Sequence, residues 1–203
     1  MDLNEHGTIP KAINGSAYVV HTAISMKPDP TEIGPEYQEE VMKQTYTILL
    51  ACQEFNVKRI VFTNAASNAT ECPPSDGVDN YTEEAWSDAA TVSQIDPLLA
   101  AKLLSEQMQF EFIKDESVEL EIVSLCPTMV VGPTLLSEVA DKSSAAYIRA
   151  IMEGKLKTVP HIKSSLVDVR DVAKAHYLAI TVPEAANQRF LLSSGSMWLV
   201  KIS

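Results

Sequence analysis

Thiols and imidazoles are the side chains to weigh first, because they serve as nucleophiles, bases and metal ligands near neutral pH. The three cysteines, Cys52, Cys72 and Cys126, show neither a Cys-x-x-Cys spacing nor the Cys/His alternation of a zinc site, and read as free thiols of a reducing compartment. His21 closes a short apolar run with no carboxylate or nucleophile beside it in a recognisable motif, which favours a structural role over a catalytic one. His176 falls on an alanine-rich stripe and reads as a satisfied core or helix-face histidine. Asp168 and Asp171 stand where a helix begins, and carboxylates suit the positive end of its dipole. Lys102 precedes Glu106 by one helical turn; taken alone, it is an exposed lysine paired with that carboxylate, worth roughly 0.3 kcal/mol.

Composition narrows the partners. With 27 acidic against 16 basic residues, a net charge of −11 and no Lys/Arg cluster, the surface repels phosphate backbones, so nucleic acid is not an expected partner. No stretch approaches the roughly 20 uninterrupted apolar residues of a membrane helix, so no membrane partner is expected either. The segment MDLNEHGTIPKAINGS lacks a basic start followed by an apolar run; it does not read as a secretory signal, and the expected location is cytoplasmic. The acceptor-like strings at Asn14, Asn68 and Asn80 are accordingly chance matches for glycosylation.

The elements that must position these residues alternate in period. Ala17 to His21 is a short β-branched run, and from Glu36 to Phe55 the apolar positions Val41, Ile48, Leu49 and Cys52 recur at helical spacing. Arg59 to Thr63 is a continuous apolar run typical of a strand buried on both faces. Asn64 to Asp96 has no sustained period and reads as a long surface excursion. Asp96-Pro97 opens a helix, Leu120 to Leu125 is a strand closed by Cys126-Pro127, and Ser144 to Glu153 is a helix. A strand near Leu166, a helix from Asp168 to Ile180 and a strand from Arg189 to Leu192 follow. This series predicts an α/β fold with a doubly wound parallel sheet, built as a single unit.

Several strings then carry a family resemblance: Asp2-Leu3, Tyr18-Val-Val-His-Thr-Ala23, VKRIVFTNAAS, YTEEAWSD, CPTMVVGP and VDVRDVAKAH, in this order. In order and spacing they resemble the extended short-chain dehydrogenase/reductase family, the NAD-dependent epimerase/dehydratase superfamily, and most closely its dihydroflavonol reductase and cinnamoyl-CoA reductase branch. The resemblance implies a Rossmann-like fold, NADP (or NAD) as cofactor and a small-molecule carbonyl substrate. It implies that Asp2 and Leu3 touch the adenine, and that the backbone at Thr22, Ala23 and Ile24 lies beneath ribose and phosphates. By the same resemblance Thr63 borders the cofactor, Pro127, Thr128, Met129 and Val130 grip the nicotinamide carboxamide, and Ser143 or Ser144 makes a further contact. AAKLLSE resembles the family's SKxLAE, which makes Lys102 the lysine that holds the nicotinamide ribose, against the bland reading given above.

The same resemblance exposes what is absent. The family's proton-donating tyrosine stands four residues before that lysine, where this chain has Leu98, and its carbonyl-polarising serine corresponds to Ala65. Ser67 lies two residues beyond, at an offset that does not suit the same role. The string G-x-x-G-x-x-G, which wraps a pyrophosphate at a helix N-terminus, occurs nowhere. By resemblance roughly sixty residues bearing the first two strands are missing, as is the end of the substrate lobe. Residues 1–203 are then one incomplete Rossmann-like unit, with 134–203 contributing part of a substrate-capping lobe. The strand Ala17–His21 would present an open edge through which the chain self-associates. Two functions remain: an NAD(P)-dependent oxidoreductase that reduces a carbonyl to an alcohol, or an inactive, partner-binding remnant of one. Efficient reduction is not expected from this chain.

Overall fold

Runs too short for helices and too apolar for a half-exposed sheet become strands here, and the longer periodic stretches become the crossovers between them. The computed structural model describes all residues except 1, 6, 25–33, 71–80, 136–143, 162 and 202–203. In chain order the elements are α1 (Thr8–Ile13), β1 (Tyr18–His21), α2 (Pro35–Glu54), β2 (Arg59–Thr63), α3 (Ser67–Thr70), α4 (Ala89–Ile95) and α5 (Pro97–Phe112). They continue as β3 (Glu121–Pro127), β4 (Met129–Val131), α6 (Ser144–Met152), β5 (Lys163–Asp168), α7 (Val169–Thr181), β6 (Arg189–Leu192) and β7 (Ser196–Trp198).

The main sheet has the order β1-β2-β3-β6, and every pair in it is parallel. Side-chain parity explains the apolar runs. Ile60, Phe62 and Ile122 pack against Ile9 and Ile13 of α1 and Ile48, Leu49 and Cys52 of α2, while Val61, Val123 and Leu125 meet Ala179 of α7 on the other face. Helices thus cover both faces, as a doubly wound sheet requires. Among the described residues strand β1 pairs on one side only, and its Tyr18 and Val20 are 42% and 44% exposed, which makes it an edge strand there.

Local chemistry sets the helix ends. Asp96 accepts from the backbone N–H of Leu98 and Leu99 at 2.9 and 3.3 Å, with Pro97 at the first helical position. Asp168 caps α7 through Arg170 N at 2.8 Å, and Asp171 lies in its first turn. At the far end of α7, the buried Arg59 Nη1 donates to the carbonyls of Ala179 and Val182, both at 2.7 Å, while its Nε pairs with Glu121 at 2.6 Å. A cation there satisfies carbonyls that the helix itself cannot.

Two expectations need correction. The stretch 64–96 is not an uninterrupted excursion: α3 and α4 lie within it, and Asn68, Ser87 and Val92 are buried, because alanines and small polar residues can dock where no long period is visible. Residues 71–80 fall outside the described ones. A second sheet, β4-β5-β7, and the short α1 were not anticipated. Segment 134–203 therefore contributes α7 and β6 to the main sheet's layers and β5 and β7 to the second sheet. No helix among the described residues is long and apolar enough to cross a membrane.

Candidate functional site

Parallel strands end on one side of a sheet, and ligands of such folds sit beyond those carboxyl ends. The residues that follow β1 and end β2 and β3 meet there. Thr22, Ala23 and Ile24, then Thr63, Asn64 and Ala65, then Pro127, Thr128, Met129 and Val130 line one cavity of about 300 Å³. Lys102, Ser105 and Gln109, spaced by three and four along α5, present one stripe to it, and α2 adds Val41, Gln44 and Thr45. Leu3, His21, Phe62 and Ser144 complete the wall.

A chain of polar contacts fixes the floor. Thr45 Oγ1 donates to Val41 O at 3.0 Å and lies 2.8 Å from Ser105 Oγ. Asn64 Nδ2 donates to Gln109 Oε1 at 2.9 Å and to Ser124 Oγ at 2.8 Å, which holds the turn after β2 against α5 and β3. Thr63 Oγ1 lies 2.7 Å from His176 Nε2, while His176 Nδ1 lies 2.8 Å from Val172 O. The carbonyl can only accept, so Nδ1 carries the proton and Nε2 accepts from Thr63. His176 is thereby satisfied.

His21 packs edge-on against Phe62 at 5.4 Å, and burial pulls its pKa down from 6.5 to about 4. It is neutral at pH 7 and has no charge to offer.

Lys102 is half-buried at the cavity wall, and desolvation lowers its pKa, opposed by the charge of Asp96. Among the described residues its ammonium makes no ion pair or hydrogen bond; its own carbonyl accepts from Asn68 Nδ2 at 3.4 Å. The pairing of Lys102 with Glu106 is overturned. Glu106 is fully buried, and its two oxygens take Arg189 Nε at 2.9 Å, Arg189 Nη2 at 3.2 Å, Asn68 Nδ2 at 2.7 Å, Cys126 Sγ at 3.0 Å and the hydroxyl of Ser124. Arg189 Nη1 also donates to Glu83 O and Ala85 O, and its guanidinium lies 3.8 Å from the centre of the Trp86 ring. This hub ties α3, α5, β3 and β6 together beneath the site. The only trace of it in the sequence is a glutamate in the apolar stretch LLSEQMQ and an arginine opening FLL. Burial and the nearby Glu106 charge push the Cys126 thiol up to about 12, so it is inert.

The remaining candidates divide. Leu98 packs with Ile24, Tyr37, Val41 and Ala101 beside the cavity, and Ala65 lines it, so neither position brings a hydroxyl. Ser67 does not line the cavity; its Oγ is buried with no hydrogen-bond partner among the described residues. Asp2 is exposed and accepts from Asn4 N at 2.9 Å in the N-terminal turn instead of joining the wall. Ser143 lies outside the described residues, whereas Ser144 is part of the lining. Pro127 O already accepts from Ala66 N at 3.0 Å, and Thr128 N and Oγ1 both donate to Leu192 O, at 3.0 and 3.1 Å. A carboxamide at this loop would have the second lone pair of the Pro127 carbonyl left to it. Gly132 closes the loop at φ +131°, where an added Cβ would lie 3.0 Å from Val169 Cγ1. No group of His, Cys, Asp and Glu able to hold a metal occurs among the described residues.

With this geometry in view, comparison with known proteins is direct. The family described as "NAD dependent epimerase/dehydratase family" matches residues 1–192. Cinnamoyl-CoA reductase 1 of Petunia hybrida is 31% identical over 188 residues, which are 92% of this chain and 54% of that protein. Tetraketide alpha-pyrone reductase 2 of Arabidopsis thaliana is 28% identical over 207 residues, covering 97% of this chain and 61% of its own length. Among solved structures, Gre2 in complex with NADPH from Candida albicans aligns with a TM-score of 0.81 at 25% identity, over 98% of this chain and 63% of that one. The chain thus spans between 54% and 61% of the length of these curated relatives.

Proposed function

This chain belongs to the NAD dependent epimerase/dehydratase family, and from that premise we propose that the strand-end cavity is where the nicotinamide end of NADP or NAD meets a small carbonyl compound. The reaction class is reduction of a carbonyl to an alcohol, as in the dihydroflavonol and cinnamoyl-CoA reductase branch. The observation that carries the reading is convergence: the ends of three neighbouring parallel strands and the inward stripe of α5, with Lys102 on it, share one cavity.

The donor set fits one half of such a cofactor. Lys102 and the Thr22–Ile24 backbone would hold the ribose, and the Pro127 carbonyl the carboxamide. A cavity of about 300 Å³ is of the size that takes a nicotinamide ribose. No glycine-rich turn is present to take the pyrophosphate. When bound, the cofactor supplies the hydride. The chain's own part is to hold and orient, because Leu98 and Ala65 bring no hydroxyl to the two positions where the family's acid and polarising serine stand. Loss of a positioned acid alone costs about 10²- to 10⁴-fold in rate. A second reading, a partner-binding remnant, is favoured by the open edge of β1.

Fluorescence titration of the chain with NADPH and with reduced nicotinamide mononucleotide tests the proposal. Both should saturate in the millimolar range, about −4 kcal/mol, within a few-fold of each other, since the polar groups that line the cavity gather at its nicotinamide end. Absence of saturation by either favours the remnant. Adding Leu98→Tyr and Ala65→Ser together should leave aldehyde reduction unrescued, since cofactor affinity stays low.

A further inference from the structure

Lys102 is the one lysine, among described residues of defined exposure, that is not on the open surface. It faces a cavity of about 300 Å³ whose mouth carries the exposed Thr22 and Ala23. The carboxylate that helical spacing would assign to it, Glu106, is turned inward and committed to Arg189. Asp96, whose charge acts on it, is itself engaged in capping α5 through the N–H groups of Leu98 and Leu99. Position 98, one turn before Lys102 on α5, is leucine and carries no phenol to compete for the amine.

We propose that, without bound nucleotide, Lys102 is a nucleophile that captures small aldehydes and ketones as an imine. The amine lone pair attacks the carbonyl carbon, and the C=O π pair moves to oxygen. Transfer of a proton from nitrogen to oxygen gives a carbinolamine. Its hydroxyl, taking one further proton, leaves as water while the C=N bond forms; loss of the last N–H proton gives the neutral imine, and no oxidant or reductant is consumed. Partial burial supports this chemistry, because desolvation lowers the amine's pKa and raises the fraction carrying a free lone pair. A half-buried lysine with no carboxylate bonded to it among the described residues, in a cavity of small-molecule size, is the environment in which amine nucleophiles are activated.

The inference rests on the reading above only in that the cavity admits a small carbonyl compound. The chain is incubated with propanal and sodium cyanoborohydride, with no nucleotide present, then digested and mapped by mass spectrometry. A propyl group should appear on Lys102, saturate with propanal, and form about tenfold faster than on the exposed Lys58 and Lys114. Lys102→Arg should lose that label and leave Lys58 and Lys114 unchanged. Labelling spread evenly over the lysines, or a Lys102 rate that never saturates, overturns the proposal; this site-resolved rate decides even if Lys102→Arg fails to fold. Nucleotide titration without Lys102 labelling would count against the imine alone, and labelling without nucleotide binding against the cofactor reading alone.

Discussion

Removal of the Arg189 side chain should be among the most damaging single changes to this fold. Arg189→Met deletes both charge-assisted bonds to Glu106, at 2.9 and 3.2 Å, and the donors to Glu83 O and Ala85 O. It leaves a carboxylate with no solvent exposure and no countercharge. Asn68, Ser124 and Cys126 still donate to it, so the penalty is cushioned but not removed. Breaking a buried pair from one side costs about 3–5 kcal/mol, and about 3–4 kcal/mol is expected here. The double variant Glu106→Leu/Arg189→Met should lose less than the sum of the single losses by at least about 2 kcal/mol, because it leaves no orphaned charge. Urea unfolding of the four proteins of the cycle measures both quantities. A loss under about 1 kcal/mol, or strict additivity, would refute the role given to this hub.

Three further changes probe other parts of the frame. Gly132→Ala forces a Cβ to 3.0 Å from Val169 Cγ1 at φ +131° and should cost about 1–3 kcal/mol in urea unfolding; an unchanged midpoint would contradict that. Arg59→Met removes the donors to the last carbonyls of α7 and should cost about 2–3 kcal/mol, with amide hydrogen exchange accelerating first in the final turn of that helix. His21, with its folded pKa near 4 against 6.5 unfolded, binds fewer protons when folded, so its contribution is complete above about pH 6.5 and is lost as pH falls toward 4. Discounted for its partial exposure, this amounts to about 2 kcal/mol, and His21→Leu should flatten that part of the stability–pH curve measured by urea midpoints.

How much of this could be read in advance depended on how local each signal was. Arg59–Thr63 and Arg189–Leu192 fall where their uninterrupted apolar runs predict, and Asp96-Pro97 marks the start of α5 because cap and proline act within one turn. The second sheet was hidden because β4 and β7 are three residues long, so pairing across the chain, not local period, makes them strands; of β5 only the part near Leu166 was legible, since it opens on the polar Lys163-Ser-Ser. The Glu106–Arg189 hub joins residues 83 positions apart, and helical spacing pointed Glu106 at Lys102 instead. Most of the cavity wall was legible only through family resemblance: strand ends meet at a switch point in any such sheet, but nothing in Thr22–Ile24 or Pro127–Val130 by itself announces a ligand. Leu98 and Ala65 needed the resemblance too, since a missing hydroxyl is visible only against a pattern that has one.

The most direct test is to mix the purified chain with NADPH and a panel of aldehydes and follow the absorbance of reduced nicotinamide. The account predicts consumption no faster than about 10⁻² s⁻¹ per chain, because Leu98 and Ala65 stand where the acid and the polarising serine would be. Turnover at or above about 1 s⁻¹ would contradict it.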